Sequence, residues 1–230
     1  MPVTPHPNES PTYRKQRAEL LAAEIALKDE VERVAALRRA LPLDTQVEDY
    51  EFEEIPAPLA AGDASPRRKV RLSALFDRPD QTVVLMHFMF GKKQRQPCPM
   101  CTLWADGYDG IVPHLEQRVR FAVVVAGDVA AFRDYARSRG WRNLRILSTG
   151  DSPVKCDLGF EEADGAQQPG ASVFRLGADG RPRHCYSMSA MFTPDQFRGM
   201  DLLTPFWNFL DLTPEGRGDF MPKRAYERSG

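Results

Sequence analysis

Histidine and cysteine are scarce in this sequence, four of each among 230 residues, and that scarcity limits the chemistry. Cys98 and Cys101 form a C-x-x-C, but Cys156 and Cys185 stand alone, with no second C-x-x-C or H-x-x-H to complete a tetrahedral zinc set. No apolar run approaches the roughly 20 residues of a spanning helix, so no membrane is expected as partner. Neither sign of charge is in excess: 31 Lys and Arg against 32 Asp and Glu leave a net charge of -1, no broad basic field for nucleic acid. The opening residues, MPVTPHPNESPTYRK, lack the charged and apolar regions of a secretory leader. The expected location is cytoplasmic, where a C-x-x-C is catalytic or metal-binding rather than structural. No internal repeat is visible, and no cofactor or bound metal is expected. A small-molecule or protein substrate is the default.

What the sequence does contain is 42% hydrophobic residues, enough for a substantial core. The stretch from Gln81 to Gly110, QTVVLMHFMFGKKQRQPCPMCTLWADGYDG, organises the rest. Thr82 to Phe90 is nearly all apolar, with His87 the exception, and reads as a strand buried on both faces. Pro97 and Pro99 are tolerated only at a helix start, which places Cys98 and Cys101 there. Unpaired N–H groups and the positive end of the helix dipole stabilise a thiolate, and Lys92, Lys93 and Arg95 add charge on the same side. One cysteine should therefore ionise below the ordinary value of about 8.5. Three plainer readings stand beside this one. The pair is half of a zinc site, or inert; the basic run is a solvated loop; His87 is a hydrogen-bonded core histidine.

Along the chain, residues 1–11 read as a disordered arm and residues 12–41 as a helical extension. Leu20, Leu27, Val34 and Leu41 fall seven apart. The helix, Thr12 to about Ala40, spans about 43 Å, and its stripe packs on its own domain or pairs two copies into a homodimer. The main domain is placed at 42–215 and a flexible tail at 216–230. Within the domain, Val47–Ile55 is a short strand, Pro56–Pro66 a linker, and Lys69–Phe76 a strand or turn leading into a short helix. After the C-x-x-C, Thr102–Arg118 is helical, with a kink or break signalled by Gly107, Gly110 and Pro113. Val119–Ala126 is a second buried strand. A helix runs to Arg139 between the cap Asp128 and the stop Gly140, and Arg145–Thr149 is a third strand. Strands and crossover helices alternate, so the sheet is parallel here and its functional crevice lies beyond the strands' carboxyl ends. Asp151–Gln168 is a polar connection. Pro169–Leu176 and Arg183–Met188, joined by Gly177-Ala178-Asp179-Gly180, form a hairpin, and Phe192–Leu212 is a helix with an apolar face.

A C-x-x-C after the first core strand and a proline introducing a hairpin resemble the thioredoxin fold. The expected architecture is α/β, a central mixed sheet flanked by helices, with the long N-terminal helix added. HFMFG, CPMCTLWADGYDG, PGASVF and DLLTPFWNFLDLTPEGR resemble more narrowly a family of bacterial thioredoxin-like proteins of unknown function. The resemblance implies a cis-proline at Pro169, across from the dithiol. It also implies one of two chemistries. In a thiol–disulfide oxidoreductase Cys98 attacks a disulfide and Cys101 resolves, with His87 or Asp106 assisting proton transfer. In a peroxidase like the alkyl hydroperoxide reductase and thiol-specific antioxidant branch, Cys101 is peroxidatic, although Gln94 and Cys98 stand where that branch has proline and threonine. Cys156 or Cys185 would then be a distant resolving thiol. A third reading is a non-enzymatic scaffold or redox sensor whose working surface is the long helix. Trp104 is assigned to the core.

Overall fold

The computed structural model describes residues 6–56, 58–59, 65–191 and 198–226. The chain divides into two units, residues 1–42 and 43–230. The first is built on helix α1, Pro11–Arg39, close to the expected span. Ser10 Oγ accepts the Tyr13 N–H at 3.0 Å, and Pro11 occupies the first helical position, where a missing N–H costs nothing. No residue of α1 is buried.

The second unit begins with strands β1 (Glu51–Glu54) and β2 (Arg68–Arg71) and a 3-10 turn, Leu72–Leu75. Then come β3 (Thr82–His87), α2 (Pro99–Leu115), β4 (Arg120–Val125), α3 (Val129–Arg139) and β5 (Ile146–Ser148). After them stand α4 (Val154–Asp157), β6 (Gly170–Leu176), β7 (Pro182–Ser189), a second 3-10 turn (Arg198–Leu203) and α5 (Phe206–Asp211). The strands make one seven-stranded sheet in the order β2-β1-β5-β4-β3-β6-β7. Strands β3, β4 and β5 are mutually parallel and the rest pair antiparallel, so the sheet is mixed, as expected.

The continuous apolar character of β3 and β4 follows from burial on both faces. Val83, Leu85, Ala122 and Val124 join Phe52, Leu72, Leu147 and Phe174 in one core. Their alternates Met86, Phe121, Val123 and Val125 join Trp104, Tyr108, Phe132 and Trp141 in the other, beneath α2 and α3. The caps on α3 are those expected: Asp128 Oδ1 accepts the Ala131 N–H at 2.8 Å, and Gly140 ends the helix at φ 80°, a conformation that favours glycine. The expected hairpin is β6–β7.

Three local expectations are corrected. Helix α2 is unbroken over 17 residues despite Gly107, Gly110 and Pro113. The acceptor that Pro113 leaves without its amide partner, the Asp109 carbonyl four residues back, takes the Asn143 Nδ2–H at 2.8 Å instead. Of the helix expected at Phe192–Leu212, residues 192–197 lie outside the described residues, and the remainder splits into the 3-10 turn and α5. Pro205, with no N–H to continue an earlier helix, stands at the start of α5. Trp207 alone is buried on α5, while Phe209 is 65% exposed. Third, the connection 151–168, expected to be polar, contributes to the interior: it carries α4 and the buried side chains of Val154, Lys155 and Phe160. No helix among the described residues is long and apolar enough to cross a membrane.

Candidate redox site

Cys98 is the N-cap of α2, with Pro99 at the first helical positions. Its backbone is fixed from two sides: its N–H donates to the Met89 carbonyl at 3.3 Å, and its carbonyl accepts the Thr102 N–H at 3.0 Å and the Thr102 hydroxyl at 2.9 Å. One helical turn on, Cys101 has no exposed surface, whereas Cys98 is only partly covered. Both thiols are free. The two ionise in opposite directions. A hydrogen bond from the Cys101 thiol, then the N–H groups of Cys101 and Met100 at the open helix end and the charge of Arg224, bring Cys98 down to about 6 against the opposing effect of burial. Burial first, and the neighbouring Cys98 second, push Cys101 well above its ordinary value. The pair therefore presents one reachable thiolate and one protonated thiol behind it.

The predicted accessory residues are distributed differently. Lys92 faces Asp151 at 3.4 Å and Lys93 donates to the Asp164 carbonyl at 3.0 Å; with Arg95 they form an exposed loop. The cation whose charge lowers Cys98 is Arg224, from the far end of the chain, whose Nη1 donates to the Pro97 carbonyl at 3.3 Å. His87 is fully buried, and by strand alternation it points with Val83 and Leu85 to the face away from α2. Its Nε2 lies 2.9 Å from Ser172 Oγ and its ring stacks on Phe160 at 3.8 Å between centroids. Burial first, then the charge of Lys155, hold it neutral, well below the usual range. It is the core histidine of the plainer reading. Asp106 is occupied by Arg139 Nη2 at 2.5 Å, Trp141 Nε1 at 2.8 Å and the Tyr226 hydroxyl at 3.0 Å, so its carboxylate joins α2 to α3 and to the chain end rather than serving a sulfur.

Pro169 stands beside the carboxyl end of β3, since Gly170 pairs with His87. No peptide bond among the described residues is cis, so the expected cis-proline is trans. Its carbonyl accepts the Ala190 N–H at 3.0 Å, extending the β6–β7 ladder by one residue. Cys156 is exposed and Cys185 half-buried, the latter with its sulfur 3.8 Å from the Arg183 carbonyl. Trp104 is buried, as expected.

Two residues at the site carried no sequence signal. Lys155 sits in a polar run that reads as surface, yet it is 0% exposed, its Nζ donating to the Phe88 carbonyl at 3.0 Å. Burial lowers it to about 8, opposed chiefly by Cys101. Arg224 lies 126 positions after Cys98 in a segment without periodicity. Neighbouring residues of that segment, Phe220, Met221 and Tyr226, meet Leu103, Phe206 and Phe209 around a groove of about 920 Å³ further along α2.

A family model described as a bacterial protein of unknown function, DUF899, matches residues 2–229. No curated protein matches the chain. Among solved structures, the antioxidant protein (1-Cys peroxiredoxin) of Plasmodium falciparum aligns with 72% of this chain and 99% of its own, at 9% identity and a TM-score of 0.51. Peroxidoxin BcpB of Mycobacterium tuberculosis is 18% identical over 70% of this chain and 97% of its own, with a TM-score of 0.44. A cysteine mutant of peroxiredoxin Q from Xanthomonas campestris is 11% identical over 64% and 82%, also at 0.44. At such identities the likeness concerns the fold, which is thioredoxin-like.

Proposed function

The chain belongs to the bacterial DUF899 family, and on that premise we propose that it is a thiol–disulfide oxidoreductase acting through Cys98 and Cys101. The observation that carries this reading is the asymmetry of the pair: a partly exposed Cys98 at the open end of α2, ionising near pH 6, over a Cys101 with no exposed surface. The Cys98 thiolate attacks one sulfur of a substrate disulfide, forming a mixed disulfide and releasing the other substrate sulfur as a thiol. Cys101 then gives up its proton and attacks Cys98. The Cys98–Cys101 bond forms, the bond to substrate breaks, and the departing sulfur takes up a proton. The substrate gains two electrons and the dithiol loses two.

The test is reduction of insulin disulfides with dithiothreitol as the electron source. Cys98→Ser should abolish it, and Cys101→Ser should accumulate the mixed disulfide. Full activity in Cys98→Ser would refute the assignment. A second reading, thiol peroxidase, is favoured by the likeness to the 1-Cys peroxiredoxin of Plasmodium falciparum. In that case Cys98, rather than the buried Cys101, is the sulfur a peroxide reaches first. Consumption of hydrogen peroxide without insulin reduction would select it.

A further inference from the structure

Among the described residues, Lys155 is buried without a carboxylate at salt-bridge distance, and the one hydrogen bond of its ammonium goes to the Phe88 carbonyl at 3.0 Å. That carbonyl belongs to the peptide group whose other end is the Met89 N–H. The Met89 N–H favours the Cys101 thiolate by acting as a donor to it, while the Met89 carbonyl accepts the Cys98 N–H at 3.3 Å. One peptide unit at the end of β3 thus has a buried ammonium on its oxygen and a buried thiol at its nitrogen. A desolvated cation without a counter-ion is costly to maintain and calls for a role.

We propose that Lys155 is a positioning residue for the second sulfur: seated on the Phe88 carbonyl, it polarises the Phe88–Met89 peptide so that the Met89 N–H stabilises the thiolate Cys101 becomes when it attacks the mixed disulfide. The inference rests on Cys98 and Cys101 being a working dithiol. It assigns a partner to the energetically harder half of the cycle. Cys98 is ionised in advance by groups at the helix start, whereas Cys101 develops its charge in a place that water does not reach. A hydrogen bond polarised at its far end by a cation is stronger than a neutral one, and low local dielectric increases the effect. The charge of Lys155 acts on Cys101 directly as well. Other titratable groups whose charge couples to Lys155 are Glu161 and Cys156 on its own segment and His87 on β3.

In a Cys156→Ser, Cys185→Ser background, which removes the other two free thiols and serves as wild type here, the reaction with 5,5′-dithiobis(2-nitrobenzoate) separates the two sulfurs. Attack by Cys98 releases one thionitrobenzoate, and attack by Cys101 on the resulting mixed disulfide releases the second. In Lys155→Met, stopped-flow absorbance at pH 7 should show the first release within about twofold of wild type and the second slowed about tenfold or more. Lys155→Arg should restore part of the second rate. A merely structural lysine would lower the melting temperature without separating the phases. An unchanged second release in folded Lys155→Met overturns the inference, while absence of the first release would overturn the dithiol reading beneath it. Should Lys155→Met not fold, Lys155→Gln retains a donor for the Phe88 carbonyl without the charge and carries the same expectation. In wild type, the second rate should stop rising above about pH 8, where Lys155 loses its proton. A rate that climbs without a break to pH 10 overturns the inference whatever the variants do.

Discussion

Arg224 reaches back to the carbonyl of Pro97, the residue immediately before Cys98, at 3.3 Å. The end of the chain is thus part of the cysteine's environment, and its charge favours the thiolate. Arg224→Ala should raise the midpoint of Cys98 ionisation above about 6. It should also slow iodoacetamide alkylation at pH 6 by roughly two- to threefold, as expected for the loss of one partly solvated charge. An alkylation profile superimposable on wild type would remove Arg224 from the site.

The same thiolate sets a pH dependence. Thiolate absorbance of the reduced protein should grow in with a midpoint near pH 6, and Cys98→Ser should remove that step. For stability the sign follows from proton binding. Between about pH 6 and the ordinary thiol value of about 8.5 the unfolded chain holds a proton at Cys98 that the folded chain has lost. This group therefore adds stability as pH rises through that window, and the contribution disappears as pH falls through about 6. Denaturant midpoints of reduced wild type, compared with Cys98→Ser across that window, should diverge upward.

Asp106 is the point where α2, α3 and the chain end meet, and its side chain is 25% exposed against 10% for Arg139. Asp106→Asn removes the charge from bonds to Arg139, Trp141 and Tyr226. The expected cost is about 2 kcal/mol, or about 5 °C in Tm. Because Tyr226 and the Arg224 carbonyl are both held by Arg139, the variant should also raise the pH at which Cys98 ionises. Calorimetry together with the thiolate titration checks both halves.

At Gly170 the constraint is space. A β-carbon there would lie 2.2 Å from the Met188 carbonyl and 2.4 Å from the Phe160 ring. Neither can yield easily, since one is backbone of the paired strand and the other is stacked on His87. Gly170→Ala should destabilise the domain by about 3 kcal/mol, at the upper end for an overpacked core, and a thermal melt within 1 °C of wild type would contradict the packing described.

The parts of this protein legible in its sequence are those with local causes. Val83 to Met86 and Val123 to Val125 announce buried parallel strands by composition alone, and Asp128 and Gly140 mark α3 by cap chemistry that involves only their neighbours. The C-x-x-C after two prolines places Cys98 at a helix start for the same reason. What stayed hidden depends on contacts distant in sequence. Lys155 looks like any lysine in a polar connection, and nothing near it records that Phe88 will supply its acceptor 67 positions away. Arg224 is equally silent. The basic loop at Lys92–Arg95 misleads for the opposite reason: proximity in sequence to Cys98 is not proximity of charge to its sulfur, and its two lysines turn toward Asp151 and Asp164. Pro113 misleads because a rule about helix interiors considers only the helix.

That proline has a further meaning. In an uninterrupted helix every interior carbonyl is taken by the chain's own ladder, so the rod has little to offer its neighbours along the main chain. By withholding one amide, Pro113 releases the Asp109 carbonyl to Asn143, and the Asp109 carboxylate beside it gathers the N–H groups of Arg142, Asn143 and Leu144. The apparent fault in the helix is thus an address read by another part of the chain. Positions 113 and 143 are therefore coupled through one atom: alanine at 113 supplies a helix amide that competes with Asn143 for the Asp109 carbonyl.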